Sequence, residues 1–108
     1  MGAVENRQYP RIKPPKTVLA AWRSGLQRDV SYVESLALGG LFLRTKKKVA
    51  IRSLVQILLD MPMGQVRGRG VVRRHQEHYG IGIQFIAMGP EDRGRLARQL
   101  RDLEASTG

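Results

Sequence analysis

Ser35-Leu36-Ala37-Leu38-Gly39-Gly40-Leu41-Phe42-Leu43 is the stretch on which the fold turns. Its two adjacent glycines interrupt an apolar run, which reads as a turn feeding an apolar strand. A glycine pair of this kind is expected where the backbone needs a positive φ or a tight bulge. Outward from it lie short segments of strand-like composition: Thr17 to Arg23, Arg28 to Val33, Gly40 to Thr45, Ser53 to Leu59, Gln65 to Arg74 and Ile81 to Ile86. Turn signals separate them at Ser24-Gly25, the Lys46 to Lys48 run, Met61 to Gly64 and His78 to Gly80. Alternation is clearest in the fifth segment. There Arg67 and Arg69 share one face and Val66, Gly68, Gly70 and Val72 the other, the glycines allowing curvature or close backbone approach. Strand after strand with such bends predicts a barrel or strongly curved sheet, and Trp22 falls on an apolar strand as a core residue.

The period changes near the end. Leu96, Leu100 and Leu103 repeat at helical spacing after Gly89-Pro90-Glu91-Asp92, with proline and acids suited to a first turn. A C-terminal helix of about three turns follows, its leucines packed on the barrel. Glu91 with Arg95, and Arg98 with Asp102, are i,i+4 pairs for its solvated face. At the other end, residues 1–16 carry charges, three prolines and little apolar periodicity. They read as a flexible arm leading into a barrel over residues 17–108, one domain overall.

Composition narrows the function. The chain has no cysteine, which excludes disulfides, thiol catalysis and cysteine-ligated zinc and fits a reducing cytoplasm. Gln56 and Asp60 interrupt the apolar stretch from Leu54 to Met63, so no membrane insertion is expected, and Met1 to Pro10 lacks the order of a secretory signal. A net charge of +10, mostly arginine, favours anionic partners: nucleic acid, acidic lipid, phosphorylated ligands or acidic proteins. His75 and His78 bracket a hairpin tip without a third ligand, so no metal is expected. No nucleophile or paired-carboxylate arrangement presents itself, and the chain reads as a binding protein, not an enzyme.

Arg7-Gln8-Tyr9-Pro10-Arg11 sets two arginines four apart on an extended segment. Guanidinium forks match phosphate bidentately, pair with the O6 and N7 edge of guanine and stack on purine rings, so a guanine nucleotide would use all three modes. This arm, followed by the Ser35 to Leu43 stretch, resembles the PilZ family. That family carries an RxxxR arm and then an Asp/Asn-x-Ser-x-x-Gly turn running into a Gly-Leu-Phe-Leu-like strand. Gly64 to Arg74 is similar to its later strand pair, Gly80-Ile81-Gly82-Ile83-Gln84-Phe85 to its Gly-x-Gly-x-x-Phe strand, and Pro90-Glu91-Asp92-Arg93 to its helix opening. The resemblance runs from about Arg7 to Leu103. It implies an all-β, six-stranded antiparallel barrel with a C-terminal α-helix and, in many members, cyclic di-GMP bound between arm and barrel, a bacterial second-messenger role.

Carried over residue by residue, the resemblance implies a ligand site of Arg7, Arg11, Ser35, Ala37, Gly39 and Gly40. Arg7, Arg11 and Gly40 match the motif. Ser35 stands where the family has Asp or Asn, and Ala37 where it has Ser, which makes the second motif degenerate. The Ser35 hydroxyl replaces a carboxylate or amide only in part, and the Ala37 methyl forms no hydrogen bond. Each loss costs about 0.5 to 1.5 kcal/mol, or about 1 to 3 where a partner stays buried and unsatisfied. Together they imply binding weaker by roughly tenfold to a few hundredfold. Glu34 compensates only if a bulge turns it beside Ser35. Arg67, Arg69, Arg73 and Arg74 read equally well as charged strand surface and stay outside the primary site.

Three functions compete. The first is a cytoplasmic cyclic di-GMP sensor that orders its arm to regulate an as yet unidentified protein partner. The second is a degenerate PilZ adaptor that works by protein contact alone. The third, a nucleic-acid-binding barrel, ranks last because Tyr9, Trp22, Tyr32, Phe42, Tyr79 and Phe85 are scattered and form no stacking strip, so specific nucleic-acid binding is not expected.

Overall fold

The computed structural model describes residues 10–107. Six antiparallel strands, β1 (Leu19–Ser24), β2 (Gln27–Ala37), β3 (Gly40–Arg44), β4 (Leu54–Met61), β5 (Gly64–Gln76) and β6 (Gly80–Ala87), precede helix α1 (Pro90–Thr107). They close in the order β1-β2-β3-β6-β5-β4, so the expected six-stranded antiparallel barrel with a C-terminal helix is the fold observed. Closure comes from β1, which pairs with β2 from Leu19↔Tyr32 to Ser24↔Gln27 and with β4 from Leu19↔Asp60 to Arg23↔Gln56. Among the described residues no helix is long and apolar enough to cross a membrane.

The period-2 pattern explains the core. On β4, Val55, Ile57, Leu59 and Met61 are buried, whereas Leu54, Gln56 and Asp60 are exposed. On β5, Val66, Gly70 and Val72 face in while Arg67 and Arg69 face out, as the alternation predicted. Gly70 is needed because a Cβ there would land on the Ile83 side chain and the Gln84 carbonyl across the β5–β6 pair. Trp22 is a core residue, 3% exposed, and its indole N–H donates to Ser31 Oγ at 2.9 Å, so the buried polar atom is satisfied.

Three local expectations change. The second strand does not end at Val33 but continues through Ala37, leaving Leu38-Gly39 as the whole turn before β3. The left-handed glycines are Gly25 (φ 60°) and Gly64 (φ 123°), so the positive φ expected at the Gly39-Gly40 pair falls elsewhere among the described residues. The helix has 18 residues, about five turns instead of three, because Glu104-Ala105-Ser106 contains no breaker after the last leucine. Its ion pairs also differ. Arg95 meets Asp92 at 3.6 Å, not Glu91, and no Arg98–Asp102 pair forms.

The reason lies in how α1 docks. β6 pairs with β5 only from Arg69 onward, which leaves the first residues of β5 without a strand on that side. Helix side chains take its place. Asp92 Oδ1 accepts from the Arg67 backbone N–H at 3.0 Å, Arg95 donates to the Gln65 carbonyl at 3.2 Å, and Gln99 donates to the Gly64 carbonyl while accepting from the Met63 N–H. Leu96, fully buried, fills the space beneath. Gln99 is 3% exposed and serves two backbone groups, so Gln99→Leu leaves both unsatisfied. The expected loss is about 1 to 3 kcal/mol, seen in thermal denaturation as a Tm lower by roughly 5 to 15 °C. Arg101→Leu, on the exposed side of α1, is expected to stay within about 3 °C; equal effects of the two would refute the role given to Gln99.

Candidate functional site

Two bulges shape one wall of the barrel. In β2 the register against β3 slips between Val33 and Ser35, with Glu34 as the extra residue. Before it, odd-numbered Ser31 and Val33 are buried; after it, Leu36 takes the core position. The slip therefore swings Ser35 and Ala37 to the outer wall. In β5 a second slip between Val72 and Arg74 makes Arg73 the extra residue, and Arg73 and Arg74 are both exposed side by side. Strict alternation would have shown only one of them.

Across β2, β3, β6 and β5 the register then aligns Ser35, Phe42, Gly82 and Arg74 in one row. Ala37, Gly40, Gln84 and Val71 form the next. The segment before β1 lies along this wall. Ile12 exchanges both backbone hydrogen bonds with Leu36, at 2.8 and 2.9 Å. That bridge puts Arg11 over Ser35, whose Oγ accepts from Nη2 at 3.1 Å and Nε at 3.3 Å.

The result is a groove of about 450 Å³ lined by Arg11, Ala37, Gly39, Gly40, Arg73 and Arg74 among others, with no acidic residue among the described residues of its lining. Arg73 Nε donates to Gln84 Oε1 at 2.6 Å, and the Arg74 guanidinium sits 5.6 Å from the Phe42 ring centroid. Three guanidinium groups thus face one cavity. Such a cavity favours an anion, and planar donors beside an aromatic ring also suit a flat heterocycle.

Of the six residues expected at the site, the structure brings together Arg11, Ser35, Ala37, Gly39 and Gly40; Arg7 lies outside the described residues. Gly40 is required by packing, since a Cβ would collide with the Ile83 carbonyl oxygen. Ala37 is 1% exposed and offers the groove only its methyl group and backbone. Arg73, Arg74 and Gln84 were not among the expected site residues. They reach the groove through the β5 bulge and the β5–β6 register, for which no local sequence signal exists.

The bulge that would bring Glu34 beside Ser35 is present. Its carboxylate, however, is engaged elsewhere: it accepts from the Tyr79 hydroxyl and pairs with Arg44 Nη1 at 3.4 Å. Arg44 stacks 4.0 Å from the Tyr79 ring centroid. The hydrogen bond to Glu34, with some desolvation, raises the Tyr79 pKa above its usual value against the opposing pull of Arg44. Glu34 belongs to this neighbouring cluster, so Ser35 meets Arg11 with a hydroxyl alone. His78 lies in the β5–β6 turn beside Glu77, at the hairpin tip expected for it.

MrkH from K. pneumonia, solved with c-di-GMP, superposes with a TM-score of 0.79 at 19% identity, over 94% of this chain and 53% of that one. The PilZ domain of YcgR from Escherichia coli, also solved with c-di-GMP, gives 0.75 at 18% identity over 94% and 93%. The Bacillus subtilis inhibitor of motility MotI/DgrA gives 0.69 at 20% identity over 88% and 52%. The chain thus spans about half of MrkH and MotI/DgrA and nearly all of the isolated YcgR domain, and at these identities the likeness concerns the fold. Among curated protein sequences none matches. The PilZ domain profile matches residues 5–102, almost the whole chain and both halves of the groove, and the chain belongs to the PilZ domain family.

Proposed function

We propose that this PilZ domain is a cytoplasmic sensor that binds cyclic di-GMP in the Arg11–Ser35 groove and regulates a partner protein through a change in its arm. The observation that carries the reading is convergence: Arg11, held over the Ser35 hydroxyl, Arg73 and Arg74 meet at one groove beside the Phe42 ring. A phosphodiester or the guanine edge offers Arg11 a bidentate, charge-assisted partner, about twice as strong as a neutral hydrogen bond. Ligand entry would therefore draw Arg11 from Ser35, freeing the hydroxyl to meet the base. Arg73 and Arg74 would complete the phosphate contacts, and Arg7 would close from the arm. Membership supports a regulatory rather than catalytic domain, and the c-di-GMP bound in the MrkH and YcgR structures supports the ligand class.

A second reading is the adaptor that has lost nucleotide binding, and Ala37 is the observation in its favour. Its methyl stands where the family's hydroxyl would reach the ligand, and at 1% exposure no water replaces that bond from within. The two readings separate in calorimetry. Titration of the chain with cyclic di-GMP at near-physiological salt, with GTP and a short RNA as controls, is expected to give saturable binding of cyclic di-GMP alone. Silence with all three supports the adaptor.

Arg11→Ala is expected to weaken that binding at least tenfold while moving Tm by no more than about 3 °C, since the side chain is exposed. Equal affinity in the variant would remove Arg11 from the site. The pair Ser35→Asp with Ala37→Ser restores both departures from the motif and is expected to tighten binding by roughly tenfold or more. No change would show that these positions do not limit affinity.

A further inference from the structure

A concavity of about 1050 Å³, more than twice the volume of the Arg11–Ser35 groove, lies on the opposite wall, where β1 and β4 close the barrel. Strand register lays out its surface in rows. Arg28, Arg23, Gln56 and Arg69 stand side by side across β2, β1, β4 and β5, all exposed. The adjoining row is Val30, Ala21, Leu58 and Arg67. Val30 is 59% exposed despite its apolar side chain. An apolar strip is thus bordered along one side and at one end by arginines.

These arginines lack what stabilises surface charge elsewhere. Among the described residues none of Arg23, Arg28, Arg67 and Arg69 forms an ion pair; Arg23 donates only to Gln56 Oε1, at 2.7 Å. Arg23 and Arg28 even stand directly opposite each other, a like-charge pairing that destabilises a sheet. Repulsion combined with an exposed apolar strip disfavours the free domain and is relieved together by one kind of occupant.

We infer that this groove is a docking surface for an acidic amphipathic helix of a partner protein. Three interstrand gaps make the arginine row about 14 Å long. Carboxylates at i, i+4 and i+8 of a helix span about 12 Å, and the neighbouring i+3, i+7 and i+11 row supplies apolar side chains for the strip. A phosphodiester chain fits the charges but not the apolar floor of Val30, Ala21 and Leu58. An anionic bilayer is flat and does not reach a concave floor. The surface is separate from the nucleotide groove, so the inference does not depend on what binds there.

The test is fluorescence anisotropy of the chain with a labelled helical peptide bearing Glu at i, i+4 and i+8 and Leu at i+3, i+7 and i+11, at near-physiological salt. Saturable binding is expected, lost at least tenfold when Glu is replaced by Gln in the peptide. Arg23→Glu with Arg69→Glu in the protein is expected to cause a similar loss, and Arg23→Gln with Arg69→Gln a smaller one, with Tm retained in both. Val30→Ser is expected to weaken binding a few fold at unchanged salt dependence. Failure of the peptide to bind, or equal binding by the charge-reversed protein, overturns the proposal. So does tighter binding of a 20-nucleotide single strand, a duplex or phosphatidylglycerol vesicles through the same arginines.

Discussion

Everything in this molecule depends on β1, a six-residue strand that has to hydrogen-bond along both edges for the barrel to exist. Its inward residues Ala20 and Trp22 are small and large in succession, and the indole N–H is paired with Ser31 on β2, so the seam is closed by packing and by one satisfied polar contact. With every strand flanked by two neighbours around the ring, the side chains of each strand have only two destinations, core or surface. Function must then be written on the outside of a rigid wall.

A closed ladder leaves few ways to write it. Regular alternation gives each strand one outward side chain in two, spaced about 7 Å apart along the strand. Dense clusters need a bulge, and this barrel places two of them across β3 and β6 from each other. The first exchanges the parity of β2 so that Leu36 enters the core while Ser35 and Ala37 leave it. The second exposes Arg73 and Arg74 together. Each gives up one regular pairing, and the return is a wall on which groups from β2, β5 and the preceding segment converge on one cavity.

This accounts for what could be read from the chain in advance. The strands, the inward valines and glycines of β5 and the start of α1 at Pro90 are local patterns, and composition plus period reveals them. The motif order around Arg11 and Gly40 identified the wall. Parity changes are different in kind, because nothing within β2 or β5 alone marks Glu34 or Arg73 as the extra residue; the partner strand decides it. Ser35 and Ala37 were consequently read as turn residues when they are strand residues paired with Phe42 and Gly40. The same non-local cause hid the helix contacts, where Asp92, Arg95 and Gln99 serve a strand edge that only the barrel topology leaves open.

Rigidity also decides which part of the domain can respond to a ligand. Opening any pair of barrel strands breaks a whole ladder, whereas the segment at Ile12 is joined to the barrel by one bridge, in which Ile12 exchanges two backbone hydrogen bonds with Leu36 and packs against the core beside the Arg11–Ser35 contact. At about 1 kcal/mol net for each such bond, the two backbone bonds of the bridge are small beside the free energy of even micromolar binding, about 8 kcal/mol. On the proposed reading, a ligand in the groove would therefore act on this segment before it acted on the barrel. The arginine row around β1 and β4 lies on the laddered strands themselves, on the wall opposite this segment, so a partner held there as proposed would bear on the barrel and not on the bridge at Ile12.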